Sequence, residues 1–89
     1  MPLVYVLDLG GGKKYVGYTN NYKQRMNAHF SGKGSKVTLK YKPVRIIKTI
    51  PCFNKAHGMA IEKNVTLSLM KKYGSRLIRG SCWCNSINF

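Results

Sequence analysis

Three consecutive glycines, Gly10-Gly11-Gly12, separate two short runs of strand-forming residues near the start of this 89-residue chain. Glycine reaches backbone conformations closed to other residues, so a triplet placed between two such runs is the strongest reversal signal in the sequence. Before it, Leu3 to Leu9 alternates weakly and is rich in Val, Leu and Tyr; after it, Lys14 to Thr19 reads KYVGYT. Both are predicted strands, so the chain opens with an antiparallel hairpin. Gly17 lies within the second strand and carries no side chain, which predicts that something approaches that backbone closely.

The remaining elements follow from periodicity and caps. Asn20 is predicted to cap a helix from Asn21 to about Phe30, with Tyr22, Met26 and Phe30 on one face and Arg25 and His29 on an adjacent stripe. Ser31 to Lys36 reads as a flexible basic loop, and Val37 to Tyr41 as a helical turn or an extended segment, broken by Pro43. Val44 to Ile50 is a third strand, stopped by Pro51. Asn54 is placed to cap a long helix over about 55 to 73, with Ile61, Val65 and Leu69, together with Ser68, on its inner face and Gly74 at its end. The tail, with Leu77, Ile78, Trp83 and Ile87, is expected to pack on the sheet. The expected fold is therefore a single α/β (α+β) domain over residues 1–89: a small, mainly antiparallel three-stranded sheet flanked by helices, in the order β-β-α-β-α plus a tail.

Charge narrows the partner. Sixteen Lys and Arg against two Asp and Glu give a net charge of +14, which points to a polyanion. The basic residues run from Lys13 to Arg79 with no detachable tail, so the charge must cover the folded surface. Lys13, Lys14, Lys33, Lys36, Lys40 and Lys42 are the expected nucleic-acid contacts, with Lys71 and Lys72 beside them. Nothing resembles a helix-turn-helix or zinc-finger reader. No apolar run approaches membrane-spanning length and the N-terminus lacks signal-peptide features, so the expectation is an intracellular protein of cytoplasm or nucleus with no membrane contact. Cys52, Cys82 and Cys84 are read as reduced thiols in or near the core, because Cys82-Trp83-Cys84 is too short to be half of a common zinc site.

Glu62 stands out in this basic field. It lies in the middle of the long helix, yet positions 58 and 66 are Gly and Thr, so it has no i,i+4 ion-pair partner. A lone acid so placed calls for a functional reading.

Two tripeptides flank the opening turn, Leu3-Val4-Tyr5 and Tyr15-Val16-Gly17; Arg25 follows Tyr15 by ten residues, His29 comes four later, and Glu62 lies on the later helix. This series, with the stretch YVGYTNNYKQRMNAHFSGKG, resembles the small single-domain members of the GIY-YIG endonuclease family over roughly residues 3 to 73. The resemblance implies phosphodiester hydrolysis, which needs an activated water, a divalent cation and positive charge where negative charge develops. It implies a motif tyrosine as general base, Tyr5 in preference to Tyr15, with its ionisation near pH 10 lowered by neighbouring cations and the metal. It implies that Arg25 grips a phosphate oxygen or the leaving group and that His29 assists the tyrosine or contacts phosphate. Glu62 would bind one Mg²⁺ or Mn²⁺, and Tyr18 is a lesser candidate beside the phosphate. Asp8, the only other acid, is read as a turn residue, so a two-metal site is not expected. Many family members carry an Asn where this chain has Gly74; Asn85 or Asn88 could supply that amide.

The resulting expectation is a metal-dependent endonuclease that cuts one DNA strand per site, with branched or damaged DNA among its candidate substrates. Specificity would come from DNA shape, from the loop over 31 to 42, or from a protein partner or homodimer. The rival readings are a non-catalytic basic module for DNA or RNA, and a ribosomal or RNA-packing protein. Neither gives a reason for the lone Glu62.

Overall fold

A computed structural model of the chain describes residues 2–34 and 36–80. The expectations for Cys82, Trp83, Cys84, Asn85, Ile87 and Asn88, and for the Lys36 side chain, lie outside what is described. Strands β1 (Leu3–Asp8) and β2 (Lys14–Thr19) form the expected hairpin, with Tyr5 opposite Gly17 and Leu7 opposite Tyr15. All three turn glycines take positive φ, at 81°, 62° and 81° for Gly10, Gly11 and Gly12, a succession that residues with a Cβ adopt only at a cost. The Leu9 N–H donates to the Lys13 carbonyl at 2.9 Å and closes the turn. Asp8 is the turn residue expected: it accepts the Gly10 N–H at 2.9 Å and pairs with Arg45 at 3.2 Å. The Gly10 amide, with Arg45 adding to it, holds the Asp8 carboxyl below its ordinary range.

After the hairpin come α1 (Tyr22–Phe30), α2 (Lys36–Lys40), β3 (Arg45–Pro51), α3 (Lys55–Tyr73), a 3₁₀ turn (Ser75–Leu77) and β4 (Ile78–Gly80). The α/β class and the order of the first five predicted elements stand. Among the described residues, however, the sheet has four strands rather than three, in the order β3-β1-β2-β4. β4 is taken from the expected tail and runs parallel to Lys14–Val16 of β2. Its three described residues are too few to carry an alternating pattern. Helix α1 is capped by Asn21 rather than Asn20: the Asn21 side chain accepts the Gln24 N–H at 3.2 Å, while Thr19 Oγ1 accepts the Asn21 N–H at 3.0 Å. Helix α3 has the expected bounds and the expected cap, with Asn54 accepting the His57 N–H at 2.9 Å.

The sheet separates two cores. On one face Tyr5, Leu7, Leu9 and Tyr15 pack against Met26 of α1 and Val37 of α2. On the other, Val4, Val6, Val16 and the unpaired Cys52 pack against Ile61, Val65 and Leu69 of α3. Alternation along β1 sends its residues to the two cores in turn, so the central strand is buried on both faces. Ser68, expected on the inner face of α3, is exposed. The buried stripe of that helix is Gly58, Glu62 and Thr66. Hydropathy locates apolar side chains; this stripe is buried because two of its members are small enough to bring the helix close.

Candidate functional site

Tyr5 is fully buried, and its ring lies over Gly17 in the space a Cβ there would occupy. The close approach expected at Gly17 is therefore the phenol ring of the opposite strand. Tyr15 sits diagonally on the same face, its ring centroid 6.5 Å from that of Tyr5, so the two tyrosines are neighbours without being directly opposed. His29 projects from α1 between them, with centroids 5.4 Å from Tyr5 and 5.5 Å from Tyr15. Its Nε2 is 2.6 Å from Tyr5 Oη and its Nδ1 is 2.9 Å from Thr38 Oγ1 on α2. The three side chains make a buried hydrogen-bonded chain, Tyr5–His29–Thr38. No sequence signal marked Thr38, because its position depends on how α2 docks against α1.

The electrostatics depart from expectation. Burial pushes the Tyr5 phenol above its ordinary value, and the nearby Tyr15 adds to this; Arg25, through a hydrogen bond and its charge, opposes the rise only in part, and Glu62 reinforces it. The expected lowering drew on neighbouring cations together with a metal; of these, the one guanidinium beside the phenol is outweighed by desolvation. His29 moves down to about 4, first through burial and then through Arg25. Both partners of the short hydrogen bond are therefore neutral at neutral pH.

Arg25 lies one turn before His29 on α1. It is exposed, yet close enough to act on the phenol. Glu62 comes from the opposite face of the sheet. Along its stripe, Gly58 lies against the Tyr18 ring, and Thr66 lies against Gly80, which pairs with Val16. Glu62 falls between Gly58 and Thr66 on the helix and acts on the Tyr5 phenol by its charge. Among the described residues β4 pairs with Lys14–Val16, and Gly17–Thr19 carry β2 on past that pairing. Arg25 from one side of the sheet and Glu62 from the other both act on the Tyr5 phenol, which lies over Gly17. An open cleft of about 510 Å³ lies beside the last residues of β2, with Tyr18, Asn20, Gln24, Arg25 and Lys55 among its walls.

The GIY-YIG catalytic-domain family matches residues 1–74. The chain belongs to the GIY-YIG family. A UPF0213 protein of Halalkalibacterium halodurans is 34% identical over 84 residues, covering 93% of this chain and 89% of its own length. A UPF0213 protein of Streptococcus agalactiae serotype V is 37% identical over 59 residues, 66% of this chain and 67% of that one. One from Streptococcus pneumoniae R6 shows the same identity over 59 residues, covering 60% of its length. No solved structure matches.

In this GIY-YIG domain the structure brings Tyr5, Tyr15, His29 and Arg25 together on one side of β2, with Glu62 acting on Tyr5 from the helix on the other side. Tyr18 joins them as a cleft wall. It does not bring the turn lysines there. Lys13 lies over the Tyr41 ring at 5.3 Å and Lys14 over Tyr73 at 4.3 Å, at the turn end of the hairpin, whereas the cleft opens beside the last residues of β2. Lys40 also lies over Tyr41, at 5.4 Å, and Lys33 and Lys42 are exposed on either side of α2. Lys55 was missed as a site residue, although its place directly after the Asn54 cap aims it at one end of α3. Among the described residues no group of three or more His, Cys, Asp or Glu could hold a metal ion. A cation here would have Glu62 as its one carboxylate and would fill its shell with water and phosphate oxygens, a donor set that suits Mg²⁺ or Mn²⁺. Among the described residues, no helix is long and apolar enough to cross a membrane.

Proposed function

We propose that this domain is a metal-dependent endonuclease that nicks DNA, one strand per site. The observation that carries this reading is the convergence of Arg25 and Glu62 on the Tyr5–His29 pair over the last residues of β2, beside a cleft walled by cations. Arg25 and Lys55 hold the scissile phosphate in the cleft, where a fork and a point charge act on different oxygens. Tyr5 takes a proton from the attacking water as its own proton passes to His29 Nε2 across the 2.6 Å hydrogen bond. This relay answers the raised phenol, because no isolated phenolate has to form in the core. The imidazolium it creates is offset by the negative charge gathering on the phosphate. A divalent cation on Glu62 would supply Lewis-acid stabilisation of that phosphate.

The test is incubation of supercoiled plasmid, and of a panel of branched oligonucleotides, with Mg²⁺ or Mn²⁺. Nicked circles should appear before linear DNA. Glu62→Gln should abolish nicking while DNA binding stays intact or tightens, since a negative charge near phosphate is removed. Nicking by Glu62→Gln at the wild-type rate discards the metal assignment.

A further inference from the structure

Phe53 is 89% exposed, the most exposed of the large apolar residues described. It is held in place nonetheless. Its ring lies on His57 with centroids 5.0 Å apart and planes 30° from parallel. Its N–H donates to His57 Nδ1 at 3.0 Å, and the His57 N–H donates in turn to Asn54 Oδ1 at 2.9 Å. Accepting at Nδ1 places the ring proton on Nε2. The loop before α3 and the first turn of that helix thus fix a pair of aromatic rings in one orientation. One face of Phe53 is occupied by His57 and the remainder is open to solvent.

The surroundings identify what this surface fits. Lys55, between the two rings in sequence, walls the cleft, and Gly58, next to His57, lies against Tyr18 of the same cleft. The aromatic pair therefore stands within one helical turn of the groove, on a molecule of net charge +14. A fixed ring beside a cationic groove is the arrangement on which a nucleobase stacks while its backbone follows the charge. Bases inside an intact duplex already stack on one another and offer only their edges, so the ring requires a base that has lost its neighbour.

We propose that Phe53, braced by His57, is a stacking platform for an unpaired base of DNA lying along the cleft, so that the protein selects DNA with a single-stranded segment over continuous duplex. The proposal rests on the nuclease reading for the position of the DNA.

The test is binding in metal-free buffer, by fluorescence anisotropy, of a forked oligonucleotide and a fully paired duplex of equal length, with 2-aminopurine in the unpaired arm as a stacking reporter. Phe53→Ala should weaken binding to the fork about 5- to 150-fold and to the duplex by less than about twofold. Phe53→Trp should restore the fork affinity and the change in 2-aminopurine signal; Phe53→Leu should restore neither. Equal losses on both DNAs, no loss on either, rescue by Leu as complete as by Trp, or an aromatic dependence confined to single-stranded RNA overturns the proposal. Val44→Ala, which trims another exposed apolar side chain, should change nothing. No turnover is measured, so failure here leaves plasmid nicking standing. A wild-type protein that cuts no DNA yet shows the Phe53 dependence overturns the nuclease reading and keeps the platform.

Discussion

The Tyr5 side chain contributes to packing through its ring and to proton movement through one oxygen. Tyr5→Phe keeps the ring over Gly17 and removes the partner of His29 Nε2. The nicking rate should fall by roughly 10²-fold or more, with the melting transition little changed. Tyr15→Phe is the comparison: a dead Tyr15→Phe protein beside an active Tyr5→Phe protein reverses the assignment. His29 gives a pH signature. Its folded value of about 4 lies below the ordinary value of 6.5, so below that value the unfolded chain binds more protons than the folded one. Its contribution is complete above about pH 6.5 and is lost as pH falls toward 4, by an amount on the order of 3 kcal/mol at most. Urea titrations from neutral pH to pH 4.5 should show wild type losing stability faster than His29→Gln; parallel slopes would remove His29 as the cause. The motif residues could be read in the sequence because reactivity restricts residue type. The direction of the phenol shift could not, since it depends on burial by residues far along the chain.

Helix α3 was bounded correctly because Asn54 and Gly74 mark its ends by local chemistry. Its packing face was misread at Ser68, and the controlling residue is Gly58. A Cβ at position 58 would fall within the Tyr18 ring, whose body cannot swing aside as a flexible tip can. Gly58→Ala gains about 1 kcal/mol of helix propensity and meets an overpacking cost of about 1–3 kcal/mol. The expected balance is a lower Tm together with slower nicking, because α3 carries Glu62 outward with it. A variant that is more stable and fully active would show that Tyr18 moves freely. β4 escaped the sequence reading for a related reason. Three residues acquire strand character only when β2 is there to pair with them.

For the molecule as a whole, the sequence gives the sum of the charge but not its distribution. Binding should weaken with salt at a log–log slope of about −0.9 per duplex phosphate contacted. Lys55→Ala should reduce that slope by about 1, whereas Lys14→Ala, lying over Tyr73 away from the cleft, should leave it unchanged. Anisotropy titrations between 50 and 200 mM salt, about the range over which such contacts are resolved, make the comparison; equal slopes for all three proteins would place the DNA elsewhere. The class of fold was accessible because hairpin, caps and periodicity are local. The joining of two separate cores around the last residues of β2 was not, because it depends on Gly17 and Gly58 meeting rings from distant parts of the chain. That joining also sets an order in time. A ribosome releasing this chain presents Tyr5, Arg25 and His29 early, as one finished half. Glu62 follows only with α3, and the pairing of β2 with Ile78–Gly80 has to wait for nearly all of the described chain. Such long-range closure is the slow part of folding. On the nuclease reading, Arg25 therefore waits for α3, which brings Lys55 and Glu62 together, so that the grip on phosphate and the means of cutting it arrive only with the finished fold.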